Sequence, residues 1–246
     1  MLVSEQLPMK QILWSSATRF HDWWDCKFPS DLLKQAKSAK IIGSLEWIKQ
    51  GWGRTSKLQP IQGVESIDSY LLEIFPKSKK PVILEAGGTQ PQSWKLSLYI
   101  PPFNQQEQRV DGYGLIKIIF EGASFQDAEP SSTLLETFLA THTPDNTEFA
   151  FIHPYLHWSQ LEDGNYNSPV TFRPMFAGVY WANYFGLGHI ELFDKQKLNS
   201  LSAYHVQWMD DRGLFLVVTP NLEDVTTPTI EEEMLKLTEE FRRARQ

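Results

Sequence analysis

Two apolar runs, Ala203-Tyr204-His205-Val206-Gln207-Trp208-Met209 and Leu214 to Thr219, are separated only by Asp210-Asp211-Arg212-Gly213. Gly reaches positive φ without a steric penalty, and a short Asp side chain satisfies nearby backbone groups, so these four residues are turn chemistry. The pattern predicts a β-hairpin, which commits the chain to an antiparallel sheet. A second strand signal lies mid-chain, where Trp94, Leu96, Leu98 and Ile100 alternate with Lys95, Ser97 and Tyr99 and Pro101-Pro102 supplies the stop. Leu115 to Phe120 is apolar enough to pair beside it, and Glu148 to Ile152 reads as a further strand.

Helical periods frame these strands. After Pro29, Ser30 is a fitting N-cap and Asp31 complements the dipole; Leu32, Leu33, Ala36, Ala39, Ile42, Leu45 and Ile48 then recur at helical spacing up to Gly51. The spacing predicts one helix of about five turns that includes Trp47. Shorter helices are predicted from Val64 to Phe75 and from Thr133 to Ala140. A terminal helix is predicted with Thr229 and Glu232 as a capping box, Ile230, Met234, Leu237 and Phe241 inward, and Arg242, Arg243 and Arg245 at its negative end. No repeat or low-complexity linker appears, and 101–112, 122–131 and 159–174 read as loops. The expectation is a single α+β domain over residues 1–246, a mostly antiparallel sheet with helices packed on it.

Charge is segregated along the chain. Residues 1–123 hold fifteen Lys and Arg against twelve Asp and Glu; residues 124–246 hold eight against eighteen, which gives the total of −7. No basic residue occurs between Lys117 and Arg173, a gap that contains Glu121, Asp127, Glu129, Glu136, Asp145, Glu148, Glu162 and Asp163. Nucleic-acid binding requires a basic footprint, so this half argues for a basic protein partner instead. No stretch has the roughly 20 apolar residues of a membrane helix, and the N-terminus has no apolar core of a secretory signal. With the single Cys26, this gives the expectation of a cytoplasmic protein without an internal disulfide.

Reactive centres are poorly represented. Gly51-Trp52-Gly53 and Gly112-Tyr113-Gly114 lack the third glycine of a dinucleotide loop, and neither a phosphate-cradling loop nor a nucleophile elbow is present. Cys26 reads as a small buried hydrophobe. His153 and His157 have chelating spacing and Asp163 follows, which would suit a metal-dependent hydrolase, but Pro154 and the strand pattern oppose the helix that an i, i+4 pair needs. Neither a metal nor a cofactor is expected, and no catalytic residue is assigned. His21, His142, His189 and His205 stand without an evident partner. Tyr155, Trp158 and Tyr166 punctuate an acidic stretch rather than a periodic element; with Glu148, Glu162 and Asp163 they form the candidate partner-binding set. A carbohydrate platform built on Trp158 is the other use of such rings.

Three segments carry a resemblance. Trp47-Ile48-Lys49-Gln50-Gly51-Trp52-Gly53-Arg54, the run Ala177 to Gly186, and the late hairpin ending in Leu214 to Thr219 before a closing helix are similar to the immunity protein 52 family of bacterial polymorphic toxin systems. The resemblance implies neutralisation of a cognate toxin, a nuclease of restriction-endonuclease-like fold with a basic surface, by tight stoichiometric binding. It implies no catalytic residues.

Overall fold

A computed structural model describes residues 11–18, 27–52, 57, 59–60, 80–89, 93–104, 109–110, 114–121, 128–154 and 178–245. Its centre is a ten-stranded sheet. In chain order the strands are β1 (Gln11–Thr18), β2 (Trp47–Trp52), β3 (Gln59–Pro60), β4 (Val82–Gly88), β5 (Trp94–Ile100), β8 (Gly114–Glu121), β9 (Thr147–Pro154), β10 (Ala182–Phe185), β11 (His205–Met209) and β12 (Gly213–Val217). They lie side by side as β11-β12-β10-β9-β1-β8-β5-β4-β2-β3, and every neighbouring pair is antiparallel. Short strands β6 (Phe103–Asn104) and β7 (Arg109–Val110) pair apart from it, within a stretch that reads as loop. The helices are α1 (Lys27–Ser38), α2 (Ala128–Thr141), α3 (Leu187–Ile190), α4 (Lys195–Asn199) and α5 (Pro228–Arg243). This is the expected α+β architecture, and β5, β8, β9, the hairpin and the terminal helix stand where the sequence places them.

Register shows which side chains share a face. Leu96, Ile118, Trp14, Ile152 and Ala182 form one row across β5, β8, β1, β9 and β10. Helix α2 packs on that face: Phe138 lies 5.6 Å from Trp14 and 5.6 Å from Phe215. Leu32 and Ala36 of α1 join the same core. The opposite face carries the row Lys49, Glu85, Ser97, Lys117, Ser15, Phe151 and Asn183. There α5 covers one half of the sheet only, with Phe241 4.6 Å from Phe185. Accordingly β10 and β12 are buried at every residue, whereas β5 alternates between buried and more accessible side chains.

The first long helix is shorter than its spacing suggests. After Ser38 the chain takes a left-handed residue, Lys40 (φ 58°), and Ala36 O accepts from both Ile41 N (2.8 Å) and Ile42 N (3.3 Å). This is a helix stop of the kind glycine usually makes. Ile41 and Ile42 then turn into the core, and Trp47 and Gly51 belong to β2, where Gly51 pairs with Ile83. The apolar spacing continued because Ile48 is buried from a strand as well as it would be from a helix. Helix α2 begins earlier than expected and takes in Ser131-Ser132. In the hairpin, positive φ is taken by Asp210 (50°) and Asp211 (57°) rather than by Gly213. Gly213 instead admits a buried ring, since a Cβ there would sit 2.3 Å from Tyr184 Oη. The cap of α5 is Thr227, with Pro228 in the first turn, not Thr229. The helix expected over 64–75 lies outside the described residues. Among the described residues, no helix is long and apolar enough to cross a membrane.

Candidate functional site

Strand β9 carries Glu148 and His153, two of the residues that the sequence singles out, and its pairing with β1 fixes where they fall. Thr147 lies opposite Thr18 and Pro154 opposite Ile12, while Glu121 of β8 lies opposite Gln11. Glu121 and Pro154 therefore share one end of the sheet. Asp145 and Glu148 sit at the other end, about 20 Å away at the rise of an extended strand. Among the described residues, the carboxylates of the acidic segment do not form one face. Asp145 accepts from Arg212 Nη1 at 2.7 Å, and this hydrogen bond, reinforced by the carboxylate charge, raises the Arg212 pKa above its ordinary value.

Glu148 is not a surface residue. It is 1% exposed, and its Oε1 lies 3.4 Å from Nδ1 of His189, itself 2% exposed and stacked 5.4 Å from Phe149. Helix α3 brings His189 there through a tight crossing: Gly186 N donates to Glu148 O at 2.8 Å, and a Cβ on Gly186 would meet Thr147 O at 2.4 Å. This corrects the placement of Glu148 in a partner-binding surface. A carboxyl group so far from solvent needs a polar partner inside the protein, and the His189 ring is the group that its Oε1 faces. The other members of that set, Tyr155, Trp158, Glu162, Asp163 and Tyr166, lie outside the described residues.

Two further histidines acquire partners in the interior. His142, at the end of α2, receives Trp14 Nε1 at 3.0 Å on its Nε2, with Ser16 Oγ 3.2 Å from the same atom. An indole N–H can only donate, so Nε2 accepts and the ring proton sits on Nδ1, directed at Thr147 Oγ1 (2.9 Å). Thr147 in turn donates to Asn146 Oδ1 at 2.6 Å. Burial lowers the His142 pKa to about 3, which keeps the ring neutral. Ser16 and His142 thus have the spacing of a nucleophile and its base, but both are within 1% of complete burial and the outer ring nitrogen is directed at a threonine rather than a carboxylate. Their chemistry is that of a satisfied polar network beneath α2. His153 is also fully buried; its Nδ1 accepts from Trp181 N at 3.2 Å, and its ring meets Tyr180 edge-on at 5.5 Å. Its proposed companions His157 and Asp163 lie outside the described residues, and among the described residues no group of three His, Cys, Asp or Glu could hold a metal ion. No spacing rule could have joined Glu148 to His189 or Trp14 to His142, because the contacts depend on sheet register and not on local sequence.

No family model matches the chain, and no curated protein matches it. The likeness to the immunity protein 52 family therefore rests on the three short segments alone. Among solved structures, the fold is similar to that of the type VI secretion system (T6SS) protein PA0821 of Pseudomonas aeruginosa. The TM-score is 0.58 at 11% sequence identity, and the likeness covers 94% of this chain and 74% of that one. At this identity the similarity is one of fold.

Proposed function

We propose that this protein acts in type VI secretion as an immunity protein, neutralising a cognate toxin by stoichiometric binding and converting no substrate. The observation that carries the proposal is the likeness to a T6SS protein over nearly the whole chain, 94% of its length. A match over most of both chains supports a shared scaffold rather than one borrowed motif, and the neutralising role is drawn from the three segments similar to the immunity protein 52 family. The toxin is a nuclease with a basic cleft, and the contact is made by the aromatic and acidic segment that leaves β9 at Pro154: Tyr155, Trp158, Glu162, Asp163 and Tyr166. Opposite charge steers such encounters and raises the association rate. Glu148 has no part in this contact because its carboxylate faces His189.

The direct test is co-expression with the toxin domain encoded beside this protein. Protection of growth, together with a one-to-one complex on gel filtration, is the expected result; toxicity undiminished by a well-folded chain rejects the proposal. Reversing Glu162 and Asp163 to Lys together is expected to slow association by about tenfold at low salt and to flatten its salt dependence, as measured by stopped-flow fluorescence. Unchanged kinetics would remove the segment from the contact and leave the neutralisation itself standing.

A further inference from the structure

Among the described residues the ten-stranded sheet has two edges, and they differ. Strand β3 is two residues long and contains Pro60, which has no N–H to offer a neighbour. Strand β11 runs for five residues, pairs with β12 alone among the described residues, and contains neither a charged residue nor a proline. Charges, prolines and bulges are the usual devices that stop an edge from recruiting another strand. None lies within His205–Met209. His205 and Gln207 face solvent with their side chains 3.2 Å apart, and Tyr204 just ahead of them is 62% exposed. Trp208 is held in place beforehand: its Nε1 donates to Asn199 Oδ1, and Lys195 Nζ lies 4.7 Å from its ring centre.

We propose that β11 pairs antiparallel with β11 of a second copy of this chain, across a two-fold axis at Gln207. A two-fold interface must be self-complementary, and this strand is. In that register Val206 meets Trp208 of the second copy, His205 meets Met209, and Gln207 meets its own equivalent. Apolar side chains thus face apolar ones, a thioether faces a ring, and two amides face each other. Local charge does not oppose this pairing. Two chains of net charge −7 repel, yet the carboxylates flanking this strand, Asp210 and Asp211, fall opposite Tyr204 and Ala203 rather than opposite each other, and Asp211 is already paired with Lys195 at 2.8 Å. The paired segment is short beside the roughly 1,200–2,000 Å² of a standard stable interface, so the dimer is weak, with a dissociation constant on the order of micromolar or above.

Sedimentation equilibrium of the full chain from about 1 to about 300 μM tests the pairing. The wild type is expected to show a reversible monomer–dimer equilibrium. Gln207→Lys places two ammonium groups at the axis and is expected to raise the dissociation constant by about tenfold or more. Ser132→Lys, the same charge change on the exposed side of α2, is expected to leave the dimer unaltered. Independently, the amides of β11 should exchange with solvent more slowly as wild-type concentration rises. A wild type that stays monomeric with concentration-independent exchange overturns the proposal, as does a dimer indifferent to Gln207→Lys. A monomer that captures the toxin in a manner sensitive to Gln207→Lys would assign the edge to the toxin and likewise overturn it.

Discussion

The two halves of the sheet solve the same burial problem differently. On the β9–β10–β12 side, α2 covers one face and α5 the other, and every residue of β10 and β12 is buried. On the β2–β4–β5 side, only one face is packed on helices among the described residues; Lys49, Glu85 and Ser97 line the other, with Lys95 2.9 Å from Glu85. The same strand geometry therefore supports two composition rules. A one-sided strand reads as strict alternation, as Trp94 to Ile100 does, whereas a two-sided strand reads as a continuous apolar run, as Gly213 to Val217 does. Sensitivity to substitution should follow the same line.

The largest contrast is expected from Phe241→Ala, which removes a ring packed between Phe185 and Phe193 and should cost about 3–5 kcal/mol in urea unfolding. A loss below 1 kcal/mol would show that α5 does not seal its face. Glu148→Ala comes next, leaving His189 buried without its carboxylate at a cost of about 3 kcal/mol. Gly213→Ala forces a methyl against Tyr184 Oη and should cost about 1–3 kcal/mol; adding Tyr184→Phe should recover part of that loss, and no recovery would place the strain elsewhere. Acid should act on the two-sided half through His142. Its folded pKa of about 3 lies below the ordinary 6.5, so between these values the unfolded chain binds the extra proton and stability falls as pH drops. The slope contributed is about 1.4 kcal/mol per pH unit below pH 6, and His142→Gln should remove that portion from a comparison of unfolding midpoints at pH 7 and 5. The smallest effect belongs to the one-sided half: Lys95→Ala breaks a half-exposed ion pair and should cost less than about 1 kcal/mol.

Local signals carried much of the fold. The hairpin, β5, β8, β9 and α5 are each encoded within their own residues by a period, a turn or a terminal charge bias. What stayed hidden depends on distant partners. Strand β1 runs through the middle of the sheet, yet Ser15 and Ser16 interrupt its apolar pattern; Ser16 makes sense only beside His142, 126 residues away. Strand β4, Val82–Gly88, ends in Gly87 and Gly88, a pair with no strand preference of its own, which is needed where Trp47 and Trp94 crowd the backbone. Glu148 looks like a surface acid because most carboxylates are. Nothing near it in sequence announces that His189 waits inside.

The position of β1 has a consequence for biogenesis. Its two neighbours, β8 and β9, begin at Gly114 and Thr147, so a strand made early in synthesis waits with both flanks unsatisfied until Glu121 has been added, and with one flank still open until Pro154 follows. Its insertion between β8 and β9 joins the two sides of the sheet, which makes Gln11–Thr18 the keystone of assembly and exposes nascent chains to misassociation until that moment.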